Sequence, residues 1–373
     1  MMLQFITCGE SHGKYLSAIL EGVPSGLKVD LEFVQQELVR RQQGYGRGGR
    51  QKIEKDRVEL TGGVYRGMTT GAPIGFLLQN KDVTINTLPQ LDRPRPGHAD
   101  LAGALKYRQG IREVLERASA RETTMRVAIG AVCKLLLCEF GVHVIGHVIQ
   151  IGKARLEEEV SFEDIEKRRE GSPVNCVSRE IEKQMVEEIN QAMKNRDTVG
   201  GKFEIRVHGV PIGLGSHVHY KRKLTGRIAQ GLMSMQSIKA VEFGLGVLEA
   251  QTPGSKAHDE IFYDPKKGYY HKTNRAGGFT GGMTNGADIL VRATMKPIST
   301  LRRELQSVNM KTKEKEKADF ERSDICAVPA GSVIGEAVVA FEVADAFLEK
   351  FGGDSTVELK RNYDGYLKQL KEM

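Results

Sequence analysis

Short apolar runs typical of β-strands alternate with helical segments along this chain of 373 residues, and no low-complexity linker separates them. The runs are rich in Val, Ile, Leu and Phe and are bounded by glycine or polar residues, as strands usually are. They are QFITC, LSAILEG, IGFLLQN, HVIGHVIQIG, KFEIRVHGV and ADILVRATM. Strands and helices mixed in this way throughout a chain predict an α+β fold.

Helices are predicted where apolar residues recur every three or four positions. Residues 30–44, 119–141 and 224–241 have this spacing. At the start of the second segment we expect Ser119 and Glu122 to form a capping box, because Ser-x-x-Glu before an apolar run is typical of helix N-termini. We expect the third segment, which is more apolar, to be a buried helix.

One short motif occurs twice, about half the chain length apart. GVPSGL (22–27) and GVPIGL (209–214) agree at five of six positions, and each follows a strand-like run. Turn chemistry can converge on such a motif by chance, but the spacing also suggests two structurally similar halves. We therefore expect one catalytic domain over 1–353, with halves of approximately 1–200 and 201–353, and a polar tail over 354–373.

Composition limits the class of protein. The net charge of +7 and the pI of about 9.0 favour an anionic partner. The five cysteines form no CxxC pair, which is typical of reduced thiols in a reducing compartment. Neither a secretion signal nor a run of about 18 apolar residues is visible, so we expect a cytoplasmic protein without a membrane segment. The polar run 309–322 predicts a surface loop.

Two histidines lie in unusual local settings. In GESHG (9–13), glycines bracket a polar triplet that includes His12, directly after a strand-like run, and histidine is a residue type suited to proton transfer. In DRPRPGHAD (92–100), two prolines stiffen the backbone that carries Arg95 and His98. Each histidine is a candidate for proton transfer, and a turn histidine with an ordinary hydrogen bond is the alternative. The remaining histidines and cysteines match no zinc-binding pattern, so we expect no metal.

Arginines concentrate in two further segments. RRQQGYGRGGRQK (40–52) contains four arginines and four glycines. ERASARETTMR (116–126) places Arg117 and Arg121 around a predicted helix N-terminus, where free N–H groups attract phosphate or carboxylate. Simple capping is an equal alternative there. An RNA-binding arm would repeat, with interleaved aromatic residues, so a pocket for a charged small molecule explains 40–52 better.

Taken together, these segments resemble the chorismate synthase family. Its three signature regions match 9–24, 116–132 and 322–338, and RQQGYGRG, RPGHAD, AGGFTGG and KPIST match as well. The matches occur in order over nearly the whole chain. The resemblance implies an α+β sandwich of helices and antiparallel sheets with internal pseudo-twofold symmetry, assembled as a homotetramer.

The resemblance also implies a lyase. Its reaction is the reduced-FMN-dependent 1,4-anti elimination of phosphate from 5-enolpyruvylshikimate 3-phosphate to give chorismate, the last common step of the shikimate pathway to aromatic amino acids. NADPH as ultimate reductant and a separate flavin reductase are the expected source of electrons. The alternatives are a basic RGG-like nucleic-acid-binding protein and a flavin-binding storage protein without chemistry.

By resemblance, His12 protonates or stabilises the departing phosphate, His98 controls protonation of the reduced flavin, and Asp324 assists removal of the ring hydrogen. The implied FMN contacts are Arg117, Ala118, Ser119, Gln236, Ser237, Gly281, Lys296, Pro297, Ile298, Ser299, Thr300 and Arg322. The implied contacts to substrate, or to a nicotinamide phosphate, are Ser11, Arg41, Arg47, Arg50, Arg95 and Arg121. Gln236–Ser237 departs from the Asn–Ala that family members often carry, so backbone contacts are expected there.

Overall fold

The structure is a computed structural model that describes residues 3–48, 55–266, 268–321 and 323–372. Its helices are α1 Leu31–Gln42, α2 Asp100–Tyr107, α3 Ile111–Ala118, α4 Thr123–Cys138, α5 Phe162–Arg168, α6 Arg179–Lys194, α7 Leu224–Met233, α8 Gly254–Ala257, α9 Val328–Phe351 and α10 Thr356–Lys371. Its strands are β1 Gln4–Cys8, β2 Tyr15–Glu21, β3 Val58–Gly62, β4 Val64–Tyr65, β5 Met68–Thr69, β6 Ile74–Gln79, β7 His143–Ile151, β8 Ala154–Arg155, β9 Gly201–His208, β10 Ile238–Phe243, β11 Ile261–Asp264, β12 Gly268–His271, β13 Phe279–Thr280, β14 Met283–Thr284, β15 Ile289–Met295, β16 Gln306–Val308 and β17 Lys315–Lys317.

Two antiparallel sheets enclose a pair of helices. The first sheet has the strand order β1-β2-β6-β3, and the second has the order β10-β15-β9-β7-β8. Helix α9 packs on α4 and on strands β7 and β9, while α4 also contacts β2. The two helices approach closely at Gly130, where a Cβ atom would lie 2.4 Å from the Cα of Ala337. This arrangement confirms the predicted α+β class.

All six strand-like runs form strands, namely β1, β2, β6, β7, β9 and β15. The helix predicted over 30–44 is α1, and Asp30 caps it by accepting hydrogen bonds from the backbone of Glu32 and Phe33. Among the described helices, none combines the length and the apolar character that crossing a bilayer requires.

The start of the helix predicted over 119–141 differs from the expected capping box. Residues 120–122 form a short 3₁₀ turn, and Ser119 Oγ accepts from the backbone N–H of Arg121 at 3.3 Å. The carboxylate of Glu122 instead accepts from the hydroxyl of Thr7 at 2.8 Å. The tertiary contact with β1 has therefore replaced the reciprocal half of the box.

Two other segments differ from expectation. The helix predicted over 224–241 ends at Met233 and is followed by strand β10. The chain turns between them, and Ser237, directly before the strand, has a left-handed φ of 70°. Within the expected loop 309–322, β17 pairs with β16 as a hairpin, so part of that segment is a strand.

The repeated GVPxGL motif has the same hydrogen bonds in both copies. The hydroxyl of Thr69 donates to the carbonyl of Pro24 at 2.6 Å and accepts from the N–H of Leu27 at 2.9 Å. Thr284 makes the same two bonds with the second copy, at 2.7 and 2.8 Å. A shared geometry of this kind supports two similar halves better than chance similarity of turns does.

The strand orders suggest where those halves meet. The order β7-β9-β15-β10 in the second sheet corresponds to β1-β2-β6-β3 in the first. A boundary at 200 would pass between β7 and β9, which pair side by side. We propose that the second half begins at β7, since each half then ends in one of the two central helices. Beyond 353, α10 packs its buried Leu359 into the main core.

A cluster of five charged side chains lies in the core between α1, α4 and α9. Glu336, which is fully buried, accepts hydrogen bonds from Arg40 at 2.7 and 2.8 Å and from Arg169 at 2.7 Å, and it also pairs with Lys134. Glu37 accepts from Arg40 and Lys134. Burial acts to raise the pKa of Glu336, but the surrounding cations hold this pKa well below its usual range.

A second carboxyl on α9 behaves in the opposite way. Burial raises the pKa of Glu342 to about 7, although Arg227 lies 3.6 Å away and lowers it. Because the folded-state pKa exceeds the ordinary value of 4.5, stability falls as pH rises from about 4.5 to about 7 and stays low above that. We expect Glu342→Gln to stabilise the protein by about 1–3 kcal/mol at pH 8 and to have little effect at pH 4. Urea unfolding at both pH values measures this, and equal effects at the two would contradict it.

Candidate active site

The loop after β1 is anchored on helix α3. The backbone N–H of Ser11 donates to the carbonyl of Glu116 at 2.9 Å, and the N–H of His12 donates to its carboxylate at 2.7 Å. Nδ1 of His12 lies 2.9 Å from Oε1 of the same carboxylate. Asn80, at the end of β6, donates to the carbonyl of Gly13 at 2.7 Å. The loop therefore holds the His12 imidazole in one orientation.

The second candidate histidine also faces a buried carboxylate. Nδ1 of His98 lies 2.5 Å from Oδ1 of Asp100, the first residue of α2. Asp100 also accepts from Nε and Nη2 of Arg95, at 2.7 and 2.8 Å. Burial acts to raise the pKa of Asp100, but hydrogen bonds from Arg95 and His98 hold this pKa well below its usual range. Asp100 is therefore ionised, and its carboxylate holds the side chains of Arg95 and His98 in place.

Two buried arginines share one aspartate. Nη1 of Arg121 donates to Asp56 at 2.6 Å, and its Nε and Nη2 donate to Asn80 Oδ1. Arg41 donates from Nε to Thr123, and its Nη1 lies 3.5 Å from Asp56 without forming a hydrogen bond to any described residue. Burial lowers the pKa of Arg41 to about 10, with Arg121 adding to that effect. Two guanidinium groups beside one carboxylate leave a net positive charge in a buried place, so the site favours binding of an anion.

The glycine-rich loop 44–48 lies against the segment that begins at Ser323. Nη1 of Arg47 donates to Asp324 at 2.6 Å, and the N–H of Gly48 donates to the other carboxylate oxygen at 2.6 Å. Nε of Arg47 is buried and has no partner among the described residues. Arg50 and Arg322, which the resemblance places in the site, lie outside the described residues.

These parts form one region, because hydrogen bonds join them in two groups and Arg41 of one group interacts electrostatically with Arg47 and Asp324 of the other. Ser323 donates to the carbonyl of Thr300 at 2.6 Å, and Thr300 Oγ1 accepts from Nη1 of Arg95 at 2.8 Å. The Asp324 segment is thereby joined to the His98 loop, and Asn80 joins Arg121 to the His12 loop. The candidate residues brought together in this way are Ser11, His12, Arg41, Arg47, Arg95, His98, Arg121, Thr300 and Asp324.

Residues assigned by resemblance to FMN adjoin this region at the β10–β15 edge. The backbone N–H of Lys296 donates to the carbonyl of Ser237 at 2.9 Å, and its Nζ donates to the carbonyl of Gly97 at 2.7 Å. Burial lowers the pKa of Lys296, and Lys239 adds to this. Oε1 of Gln236 is buried and has no partner among the described residues. This edge therefore offers an ammonium group and an unused amide oxygen beside the His98 loop.

The rest of the segment 296–300 is fixed by contacts with residues 97, 198 and 200. Pro297 abuts Gly200, where a Cβ atom would lie 2.8 Å from the proline nitrogen. The carbonyl of Ile298 accepts from the hydroxyl of Thr198 at 2.7 Å, and Cβ of Ser299 lies against Gly97. The segment is therefore fixed by backbone contacts before any ligand binds.

The remaining candidates divide into two places. Arg117, near the C-terminus of α3, donates to the carbonyls of Thr7 and Gly9 at 2.9 and 3.1 Å, beside Ala118 and Ser119 and close to the His12 loop. Gly281 lies instead in the β13–β14 turn with a φ of 62°, beside the side chains of His217 and Met283. The described contacts do not bring Gly281 to the other candidates.

Sequence analysis missed four residues that hold the site together. They are Asp56, Asn80, Asp100 and Glu116. Two of them were signalled locally, because Asp100 is the second residue after His98 and Glu116 immediately precedes Arg117. Asp56 and Asn80 carry no comparable signal, since their partners are distant in sequence.

Buried arginines with spare donors, next to two histidine–carboxylate pairs, define an enzyme that binds a multiply charged anion and moves protons. The family model for chorismate synthase matches residues 3–348. Accordingly, the chain belongs to the chorismate synthase family, a family of lyases. This confirms the predicted resemblance, and nothing supports the nucleic-acid-binding alternative.

Full-length relatives agree with this assignment. The chorismate synthases of Solibacter usitatus and Geobacillus kaustophilus are 52% and 51% identical to this chain over 387 aligned residues, which cover 99% of the chain and 100% of each relative. A crystal structure of a chorismate synthase, 39% identical, matches the fold with a TM-score of 0.84 and covers 100% of this chain and 99% of its own.

Proposed function

We propose that this protein catalyses the reduced-FMN-dependent 1,4-anti elimination of phosphate from 5-enolpyruvylshikimate 3-phosphate, which yields chorismate. The observation that carries the proposal is the surplus of buried guanidinium donors, above all Nη1 of Arg41 and Nε of Arg47. The substrate has two carboxylates and a phosphate, and buried arginines bind such groups by charge-assisted, often bidentate hydrogen bonds.

The residues at the β10–β15 edge fit FMN. Lys296 offers a cation for a phosphate at this edge, and Arg117 offers a second one near the His12 loop. The unpaired amide oxygen of Gln236 can accept from a flavin or ribityl donor, so the departure from Asn–Ala keeps hydrogen-bonding capacity. When bound, reduced FMN supplies electron density to the breaking C–O bond and recovers it, so the reaction has no net redox change.

The chain's own groups then have separate tasks. Arg41, Arg47, Arg95, Arg121 and the undescribed Arg50 hold the substrate's anionic groups. His12 donates a proton to the departing phosphate, and His98 holds a proton beside the flavin site. Asp324 assists removal of the ring hydrogen.

Asp324 is engaged before substrate arrives. Both of its carboxylate oxygens accept hydrogen bonds, one from Arg47 and one from Gly48. A substrate anion that takes over Arg47 frees one of these oxygens. Binding of the substrate to Arg47 thereby releases Asp324 to act as a base.

Anaerobic turnover with and without reduced FMN tests the proposal. Purified protein with dithionite-reduced FMN is expected to release phosphate and form chorismate, and oxidised FMN alone is expected to support neither. Absence of phosphate release with reduced FMN bound would exclude the lyase activity and favour a storage protein. NADPH with oxidised FMN, without dithionite, tests whether a separate reductase is required.

We also propose that the protein is a cytoplasmic homotetramer. Family resemblance supports the assembly, and the reduced state expected for its cysteines supports the compartment. Light scattering after size-exclusion chromatography gives the mass directly, and a monomer at micromolar concentration would contradict the tetramer.

Arg47→Ala should weaken substrate binding by about 10–100-fold, because one charged hydrogen-bond donor contributes roughly 1.5–3 kcal/mol. Substrate KM and NADPH binding, measured on the same variant, decide which ligand Arg47 contacts. Arg57→Ala, which changes an exposed arginine, is the control and should leave both unchanged. An unchanged substrate KM in Arg47→Ala would remove Arg47 from the substrate pocket.

A further inference from the structure

The carboxylate of Glu116 is built into the His12 loop at two points. Oε2 accepts the backbone N–H of His12 at 2.7 Å, while Oε1 lies 2.9 Å from Nδ1 of the same residue. The Glu116 carbonyl also accepts from the N–H of Ser11. The buried Glu116 side chain on α3 therefore fixes the position of both the backbone and the imidazole ring of His12.

We propose that Glu116 is a positioning residue for the reaction: it holds the proton of His12 on Nδ1 and leaves Nε2 to exchange protons with the substrate. This inference rests on the proposed role of His12 as the proton donor to the departing phosphate. It assigns Glu116 no contact with substrate or cofactor.

The charge of Glu116 suits this task. Its side chain is almost fully buried, and burial acts to raise its pKa, but the hydrogen bonds from His12 lower the pKa below its usual range. An ionised carboxylate only accepts hydrogen bonds, so it selects the Nδ1–H form of a neutral imidazole and stabilises the imidazolium once formed. The geometry thus makes Nε2 the nitrogen that accepts a proton in the neutral ring and donates one in the imidazolium.

Among the described residues, two other ionisable groups face this pair, and a third lies behind one of them. Asp82 Oδ2 lies 3.9 Å from Nε2 of His12 on the exposed side, and Arg112 Nη1 lies 3.9 Å from Glu116 Oε1. Arg112 also donates to Glu321 at 2.7 Å. The equivalent carboxylate beside His98, Asp100, is shared with Arg95, so its removal would disturb an arginine as well. Glu116 is therefore the cleaner position at which to test a histidine–carboxylate pair.

Glu116→Gln keeps the shape and removes the charge, and its amide can donate to Nδ1 and so favour the wrong tautomer. With reduced FMN we expect kcat to fall by about 10–100-fold, less than on removal of His12, with little change in substrate KM. The alkaline limb of the kcat/KM profile, where His12 loses the proton that it donates, should move to lower pH. Glu113→Gln, which changes an exposed glutamate on the same helix, is the matched control and should leave rate and profile unchanged.

Glu116→Asp keeps the negative charge, and it distinguishes a positioning role of Glu116 from a purely structural one. If Glu116 positions His12, the aspartate restores the alkaline limb and part of kcat. Equal losses in the Asp and Gln variants with an unchanged pH profile would show a purely structural role and overturn the proposal, as would wild-type kinetics in Glu116→Gln. The Asp variant also serves should the Gln variant fail to fold.

A readout independent of turnover separates this inference from the proposed function. Diethyl pyrocarbonate labels unprotonated imidazole, and mass spectrometry locates the label on His12 in the cofactor-free protein. Labelling should begin at lower pH in Glu116→Gln than in the unmodified chain. Identical labelling profiles would overturn the inference, whereas full turnover by His12→Asn would instead overturn the role proposed for His12.

Discussion

Replacing His12 by Ala is expected to lower kcat by about 10²–10⁴-fold, the contribution usual for a general acid, while FMN affinity changes little. The reason lies in the anchoring of the loop: Glu116 holds the ring from Nδ1, and Ser11 and Gly13 fix the backbone on either side. Loss of the imidazole therefore removes a proton donor without releasing the loop. Anaerobic turnover and fluorescence titration of FMN measure the two quantities separately.

The control for this experiment is His258→Ala, because His258 is an exposed histidine outside the candidate site. Its kinetics should match those of the unmodified protein. The kinetics and FMN affinity of His98→Ala give a second comparison with His12→Ala. His98 follows Gly97, whose carbonyl accepts a hydrogen bond from Lys296 in the 296–300 segment. A His12→Ala variant that keeps kcat but loses FMN would reverse the assignment and place His12 in the cofactor site.

Local sequence patterns predicted six strands of the two main sheets, because each of these is an apolar run bounded by glycine or polar residues, but they did not predict β3 or β10. They failed where a distant contact competes with a local one. Glu122 bonds to Thr7 on β1 instead of completing a capping box with Ser119, and nothing in 119–122 signals that strand. Likewise, the turn that separates α7 from β10 includes Ser237, whose carbonyl accepts a hydrogen bond from the distant Lys296, and nothing in 224–241 signals that contact.

The candidate site was predictable in its charged ligands and less so in their supports. Arg41 and Arg121 stand out because they lie in arginine-rich segments. Their shared partner Asp56 does not, since the pairing depends on how the end of α1, the residues before β3 and the 3₁₀ turn before α4 come together in the fold. Support residues of this kind are identified only once tertiary contacts are known, although they determine whether the cations are available to substrate.

Glu336→Gln is expected to lower the free energy of unfolding by about 3–5 kcal/mol, the usual effect of breaking a buried ion pair from one side. The core cluster has three cations and two carboxylates. The substitution leaves Arg40 and Lys134 to share Glu37, and it removes the carboxylate with which Arg169 pairs. Arg40 precedes Arg41 on α1, so the variant should also bind substrate more weakly if it folds. Urea unfolding followed by circular dichroism gives the first effect, and substrate KM gives the second.

Two variants make this test specific to buried charge. Glu349→Gln removes a carboxylate from the same helix that is one-third exposed, and its surface pair with Arg227 should contribute less than about 1 kcal/mol. Lys134→Met combined with Glu336→Gln removes one of the stranded cations, so the double variant should be more stable than Glu336→Gln alone. A double variant that is less stable than either single one would show that packing of the lysine stem, and not unpaired positive charge, accounts for the loss.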